Sequence, residues 1–321
     1  MTNQLVTTES HELALSTQTP LDRNPAAVYL ASLESPTSRR TMRQALDTIA
    51  GLLTGTADAF ACNWAAVRFQ HTAAIRSKLA EGYAASTANK FLSALRGTLK
   101  AAWQLGQMSA EDYHKAASVG GIKGETVPAG RELSGGEISA LLQACAKDPS
   151  PAGARDAAII ALLYACGLRR AEIVALDLKD YDPESGRLVV RGKRNKERYA
   201  YPVDGAARAL ADWLRFRGDE PGALFRAINK GRRIRKGEMT TQAIYNMLRK
   251  RAEEAGVKEF SPHDLRRTFV SDLLDAGADI VTVSKMAGHA SVQTTARYDR
   301  RPEEAKRKAA GLLHVPYQKQ R

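Results

Sequence analysis

Residues 288–300 read GHASVQTTARYDR. His289 is followed nine residues later by Tyr298, with Thr294 and Thr295 between them and Arg297 and Arg300 on either side of the tyrosine. Taken alone, the stretch reads as a turn followed by a surface helix. Whether Tyr298 does chemistry depends on what the rest of the chain can bring beside it.

The chain has 321 residues, of which 44% are hydrophobic and 26% charged. That is ordinary globular composition, and the length suits two domains of roughly 100–200 residues each. No run approaches the roughly 18 apolar residues of a membrane span. The polar opening MTNQLVTTESHELALSTQTP lacks the basic-then-apolar order of a signal sequence, so the expected location is the cytoplasm. Cys62, Cys145 and Cys166 are widely spaced and in no CxxC pair, which predicts buried reduced thiols rather than a disulfide framework or a zinc site. Lys and Arg number 48 against 35 Asp and Glu, a net charge of +13 that attracts polyanions. Eleven basic and nine acidic residues lie before position 120, and 37 and 26 after it, so the second part carries most of the excess.

Residues 1–21 read as a flexible N-terminal segment. Ser35, Pro36 and Thr37 then open a helix whose apolar positions Met42, Leu46, Ile49 and Leu53 keep helical spacing until Gly55. Further helices are expected in NWAAVRFQHTAAIRSKLAEG, in STANKFLSALRGTLKAAWQLG and in SAEDYHKAA, making 22–117 a helical bundle. Gly, Ser and Pro without periodicity mark 118–130 as a linker. From 131 to 315 the pattern is mainly helical, with an apolar helix broken at Gly167. RLVVRGKRNKERYAYPV reads there as two short strands joined by a basic turn, the one small antiparallel sheet expected of the chain. INKGRRIRKGEM is expected to be a basic loop, and 316–321 a tail.

Four pieces stand in order along this second part: GLRRAE (167–172), RGKRNKER (191–198), SPHDLRRTF (261–269) and GHASVQTTARYD (288–299). Together they resemble the tyrosine recombinase family of phage-integrase-like and Xer-type enzymes. The resemblance covers about 131–315 by motif, and the bundle before it by size and position. It implies a mainly α fold, with an N-terminal helical core-binding bundle and a mixed α catalytic domain holding a small antiparallel sheet. By motif, the catalytic set falls on Arg169, Lys193, His263, Arg266, His289 and Tyr298, with Glu172 as the glutamate beside the first arginine.

Each residue type suits its implied task, and each has a plainer reading. The planar forks of Arg169 and Arg266 can hold the non-bridging oxygens of a phosphate, although Arg169 three residues before Glu172 is also an ordinary helix ion pair. Lys193 would protonate the departing 5′-oxygen, with Lys196 an alternative in the same stretch. His263 offers acid–base capacity near neutral pH. Tyr298, whose hydroxyl has an ordinary pKa of about 10, needs a neighbouring base and cations on the phosphate to attack. Arginines would stand in for a metal, and no cofactor is implied.

The implied partners are double-stranded DNA core sites and further copies of the chain, four on two sites, with accessory DNA-bending proteins as candidate helpers. Lys196, Arg232, Arg233, Arg235, Arg39, Arg43, Lys90 and Arg96 are candidate DNA contacts, those of INKGRRIRKGEM suited to phosphates through counterion release and those before residue 117 implied by the resemblance to a core-binding domain. A short C-terminal helix within RPEEAKRKAAGLLHVPY packs on its own domain or docks on a neighbour. A type IB topoisomerase would share the chemistry without exchanging partners, and a non-catalytic DNA-binding regulator would share only the fold.

Overall fold

The computed structural model describes residues 13, 19–124, 130–192, 197–299, 310, 311 and 316. It forms two compact units that divide between Ala129 and Gly130. Lys193, Lys196 and nearly all of the C-terminal stretch lie outside the described residues.

The first unit holds helices α1 (Pro25–Ala31), α2 (Pro36–Thr54), α3 (Phe69–Gly82), α4 (Ala85–Gln104) and α5 (Ala110–Ala117). The Ser35 side chain accepts from the Ser38 amide, Pro36 occupies the first turn where its missing N–H costs nothing, and Gly55 closes α2 at φ 78°. The apolar faces of α2, α3 and α4 meet through Leu46, Ile49, Ile75, Leu79, Leu92, Leu95 and Leu99 around Trp64. Its buried indole donates to Ala59 O at 2.7 Å. Helix α1 escapes the sequence reading because seven residues are too few for a periodic pattern. Its start is nonetheless marked by Asn24, whose side chain accepts from the Ala26 and Ala27 amides, and by Pro25.

Two of the expected DNA contacts of this unit are committed within it. Arg43 pairs with Asp47 at 2.7 Å and Asp58 at 2.8 Å and lies 3.7 Å from the centre of the Phe60 ring. Arg96 donates to the carbonyls of Ala117 and Val119. Arg39 donates to Leu33 O at 2.6 Å, while Lys90 is exposed. Arg76 donates to Gly120 O at 2.9 Å and Asn89 to Ile122 O at 2.8 Å, so the chain through 117–122 is held on the first unit.

The second unit runs α6 (Gly135–Ala146), α7 (Pro151–Ala165), α8 (Arg170–Ala175), β1 (Tyr181–Asp182), β2 (Arg187–Arg191), β3 (Glu197–Ala200) and α9 (Asp204–Arg217). It continues with β4 (Arg226–Ile228), β5 (Ile234–Glu238), α10 (Thr241–Glu254), α11 (Pro262–Asp275), α12 (Ile280–Ala287) and α13 (Val292–Ala296). Helix α7 is nearly all apolar and sits centrally, packed by α6, α9 and α11. Ile159, Leu162, Leu163, Leu210, Trp213, Phe225 and Leu248 form the middle of this core. A smaller cluster of Phe269, Val270, Leu274, Val283 and Ala287 joins α11 to α12.

The expected hairpin is present, with β1 added at its edge: the order is β1-β2-β3, antiparallel, with Val189 opposite Tyr199 and Arg191 opposite Glu197. The basic stretch expected as a loop is instead half strand. Residues of β5 pair antiparallel with β4, Arg226 opposite Glu238 and Ile228 opposite Ile234, giving a second sheet. Four of the five β5 residues are exposed, so no alternation of apolar and polar residues announced it. Arg232, at φ 60°, and Arg233 lie in the turn and Arg235 on β5, all exposed.

Candidate active site

The site is built on the joints between helices. Helix α7 stops at Cys166, and Gly167 turns the chain at φ 58°. A Cβ there would lie 2.4 Å from the Phe269 ring, so glycine is required for both the turn and the close approach of α11. The turn presents Arg169 at the start of α8. Its backbone N–H donates to Glu172 Oε2 at 2.8 Å and its Nη1 to Glu172 Oε1 at 2.7 Å, while Nη2 reaches Gly288 O at 2.8 Å. The helix-surface ion pair of the plainer reading is therefore real. It orients a guanidinium that is still exposed to solvent.

Helix α11 starts at Pro262 behind a Ser261–Asp264 capping box and carries His263 and Arg266 one turn apart. His263 is exposed. Arg266 is only 2% exposed, and its Nη1 donates to Gly167 O. Its Nη2 is buried and has no hydrogen-bond partner among the described residues. A buried charged donor without an acceptor is costly and asks for an explanation. Burial and the nearby Arg169 lower the pKa of this guanidinium. An arriving anion would satisfy the free donor and relieve the repulsion between the two cations.

Helix α12 ends at Gly288 (φ 63°), and His289 follows immediately. Its Nδ1 lies 2.8 Å from Oγ1 of Thr295, a residue with no exposed surface, and Nε2 has no hydrogen-bond partner among the described residues. Helix α13 runs from Val292 to Ala296, and the turn after it, Tyr298 N–H to Thr295 O at 2.9 Å, sets the tyrosine. The Tyr298 ring stacks on His289 with centroids 6.2 Å apart and has the Arg267 guanidinium 5.6 Å from its centroid. Its hydroxyl is 3.3 Å from His263 Nε2. The spacing of nine residues thus spans a turn and a short helix that fold the tyrosine back toward the histidine.

Five of the six expected catalytic residues come together in this way: Arg169, His263, Arg266, His289 and Tyr298. Lys193 lies outside the described residues, as does Lys196. The reading of the sequence missed Arg198 and Thr295, while Arg267, which falls outside the motif and reads as packing or a DNA contact, is buried and packs over the Tyr298 ring. Arg198 was detectable in principle, because strand alternation places it on the face of buried Ala200, and an inward arginine on a strand demands an acid partner.

Charge shapes the protonation of the site. Burial first, then Arg266 and Arg169, pushes the His289 pKa down to about 4, and burial with Arg266 and Arg267 lowers that of His263. Between the ordinary value of 6.5 and about 4, the folded protein takes up less of a proton at His289 than the unfolded chain does. Stability contributed at this position is therefore complete above 6.5 and falls as the pH drops through that window. Thermal unfolding from neutral pH to about pH 4 is expected to show a steeper loss of melting temperature in the wild type than in His289→Gln. Equal slopes would reject the assignment.

The second unit coincides with a known family profile: the phage integrase family matches residues 131–304. The chain belongs to the phage integrase family. Relatives include tyrosine recombinase XerC of Corynebacterium glutamicum, 40% identical over 45% of this chain and 46% of the relative. Tyrosine recombinase XerD of Pseudomonas aeruginosa is 34% identical over 69% of this chain and 73% of the relative. XerC of Vibrio parahaemolyticus is 31% identical over 92% of each. Against the XerC proteins of the two Corynebacterium species the chain spans about half the length of its relatives, 46% and 52%. Among solved structures, the XerH site-specific recombinase bound to palindromic difH substrate aligns with TM-score 0.65 at 20% identity, covering 95% of this chain and 92% of the other. A lambda integrase dimer bound to a COC′ core site aligns with TM-score 0.62 at 15% identity, covering 91% and 80%. At those identities the likeness is one of fold, and the phage integrase fold is the one described above.

Proposed function

We propose that this protein is a site-specific DNA recombinase that cleaves and rejoins DNA through Tyr298. The observation that carries the reading is the buried Nη2 donor of Arg266, without a hydrogen-bond partner among the described residues, beside Arg169 and the His263–Tyr298 pair. Two arginines and two neutral histidines suit a phosphodiester, whose charge grows as the tyrosine oxygen adds to phosphorus. The phenolic proton passes to His263, the new P–O bond forms, and the P–O5′ bond breaks. The 5′-oxygen leaves as a hydroxyl after taking a proton from Lys193, or from Lys196 in the same segment. The product is a 3′-phosphotyrosine, and attack by a 5′-hydroxyl reverses the steps without ATP.

The relatives named as tyrosine recombinases and the aligned structures with bound DNA support double-stranded core sites as the substrate. The first unit acts as the core-binding clamp and the second as the catalytic domain. Exposed Lys90, Arg232, Arg233 and Arg235 touch DNA phosphates, and four protomers act on two sites in the cytoplasm, on the nucleoid. Arg43 and Arg96, which are held by internal partners, contribute to folding first.

The test uses two duplexes of different length that carry the same protected site. Recombinant-length joints are expected. Relaxation of a supercoiled plasmid that carries the same site, with no joints formed between the duplexes, would assign a type IB topoisomerase, and site protection without any covalent adduct would assign a regulator.

A further inference from the structure

Arg198 stands outside the set of side chains that the proposed chemistry uses, yet every nitrogen of its guanidinium is engaged. Nη1 and Nη2 donate to Glu172 Oε1 and Oε2 at 2.9 and 2.7 Å, and Nε donates to Met286 O at 3.0 Å. Its side chain is 12% exposed and that of Glu172 is 5% exposed, so the fork sits in a nearly dry joint. Glu172 also holds the backbone and Nη1 of Arg169, whose Nη2 closes on Gly288 O. Met286 and Gly288 belong to the end of α12, directly before His289. Hydrogen bonds therefore run in a closed loop from β3 through Glu172 and Arg169 to the turn that carries His289, and back to β3. Gly288 is part of the fit, since a Cβ there would meet the Arg198 guanidinium at 3.1 Å.

We propose that Arg198 is a positioning residue that fixes Arg169 and His289 relative to one another, so that both address one phosphate. The inference rests on the recombinase reading. Glu172 is buried and lies below the ordinary carboxylate range: burial alone would raise its pKa, but the hydrogen bonds from Arg198 and Arg169 outweigh it. Without Arg198 the carboxylate turns both oxygens to Arg169 and draws that guanidinium away from the substrate. The end of α12 also loses the donor that holds its Met286 carbonyl. Lysine cannot replace the fork, because a compact ammonium cannot serve two carboxylate oxygens and a carbonyl in fixed directions.

The experiment compares wild type and Arg198→Lys, as full chains, in single-turnover cleavage of a nicked duplex. Two scissile linkages are used, an ordinary phosphate and a neutral methylphosphonate in which one non-bridging oxygen is a methyl group. On the phosphate, the variant is expected to cleave about 10- to 100-fold more slowly, while its affinity for DNA stays close to wild type and it remains folded at the assay temperature, with a melting temperature lower by a few degrees. On the methylphosphonate the deficit shrinks to a few-fold, because a neutral linkage makes little use of the charge of Arg169. Equal slowing on both linkages, or no slowing on either, overturns the positioning role. If the lysine variant does not fold, Arg198→Gln carries the same comparison, and failure of both to fold overturns the proposal in favour of a purely structural ion pair. If wild type forms no adduct on the ordinary phosphate, the recombinase reading itself fails. If it does form one, the comparison bears on Arg198 alone.

Discussion

Tyr298→Phe is expected to abolish the covalent protein–DNA adduct on a nicked duplex while leaving the fold and the binding of DNA intact. The contacts that place the side chain belong to its ring. It packs against the Phe269, Val270, Leu274, Val283 and Ala287 cluster, stacks on His289 and lies beneath Arg267. Phenylalanine keeps all of these. What it loses is the hydroxyl and its 3.3 Å contact with His263, worth at most about 1 kcal/mol at a site this open to water. The chemistry has no such reserve, because the oxygen removed is the atom that would bond to phosphorus. The adduct is expected to fall by about 10⁴-fold or more, the scale on which an enzyme loses rate with its nucleophile. Denaturing electrophoresis of protein bound to labelled DNA measures it directly. Adduct of wild-type yield in the variant would move the nucleophile to another residue and dismantle the site as described.

What the sequence revealed and what it hid follow from the range of the interactions. Ser35, Pro36 and Gly55 bound α2 by contacts within one turn, so the helix was legible from its ends. The capping box of Ser261 and Asp264 is equally local, and it places His263 and Arg266 at the head of α11. Strand β5 has no such local signature, since it is exposed along most of its length and is held by backbone pairing with β4. The role of Arg198 depends on Glu172, 26 residues before it, and on Met286, 88 residues after it. Thr295 looked like one of two equivalent threonines until the fold buried it against His289. Motif order thus marked the residues that the fold brings together, while the contacts of Arg198 and Thr295 with them became visible only when distant segments met.

The same blindness makes Arg251 the source of the largest expected loss of stability. In the sequence it ends the charged run Arg249, Lys250, Arg251, with nothing local to mark it as buried. In the fold it is 1% exposed, and its Nε and Nη2 donate to Asp156 at 2.9 Å and Asp148 at 2.7 Å, 95 and 103 residues away. Its Nη1 donates to Glu254 at 2.7 Å. The cluster ties α10 to α7 and to the turn before it. Arg251→Met would fill much of the volume but strip a buried carboxylate, Asp156 at 3% exposure, of one of its two arginine partners. Breaking one side of a buried pair costs about 3–5 kcal/mol, against about 0–1 kcal/mol for a surface pair. For a unit of this size that corresponds to a melting temperature lower by about 10 °C. Acid provides a second measurement. Burial would raise the Asp148 pKa, but hydrogen bonds from Arg251 and Ser150 outweigh it and hold the value at about 2, below its ordinary 3.8. The stabilisation is thus complete above 3.8 and is lost as the pH falls toward 2. The gap between wild type and Arg251→Met, measured by urea unfolding of the second unit, should therefore be full at neutral pH and narrow below about pH 4. A gap that is small at neutral pH, or that does not narrow in acid, would mean that water screens these charges despite their burial.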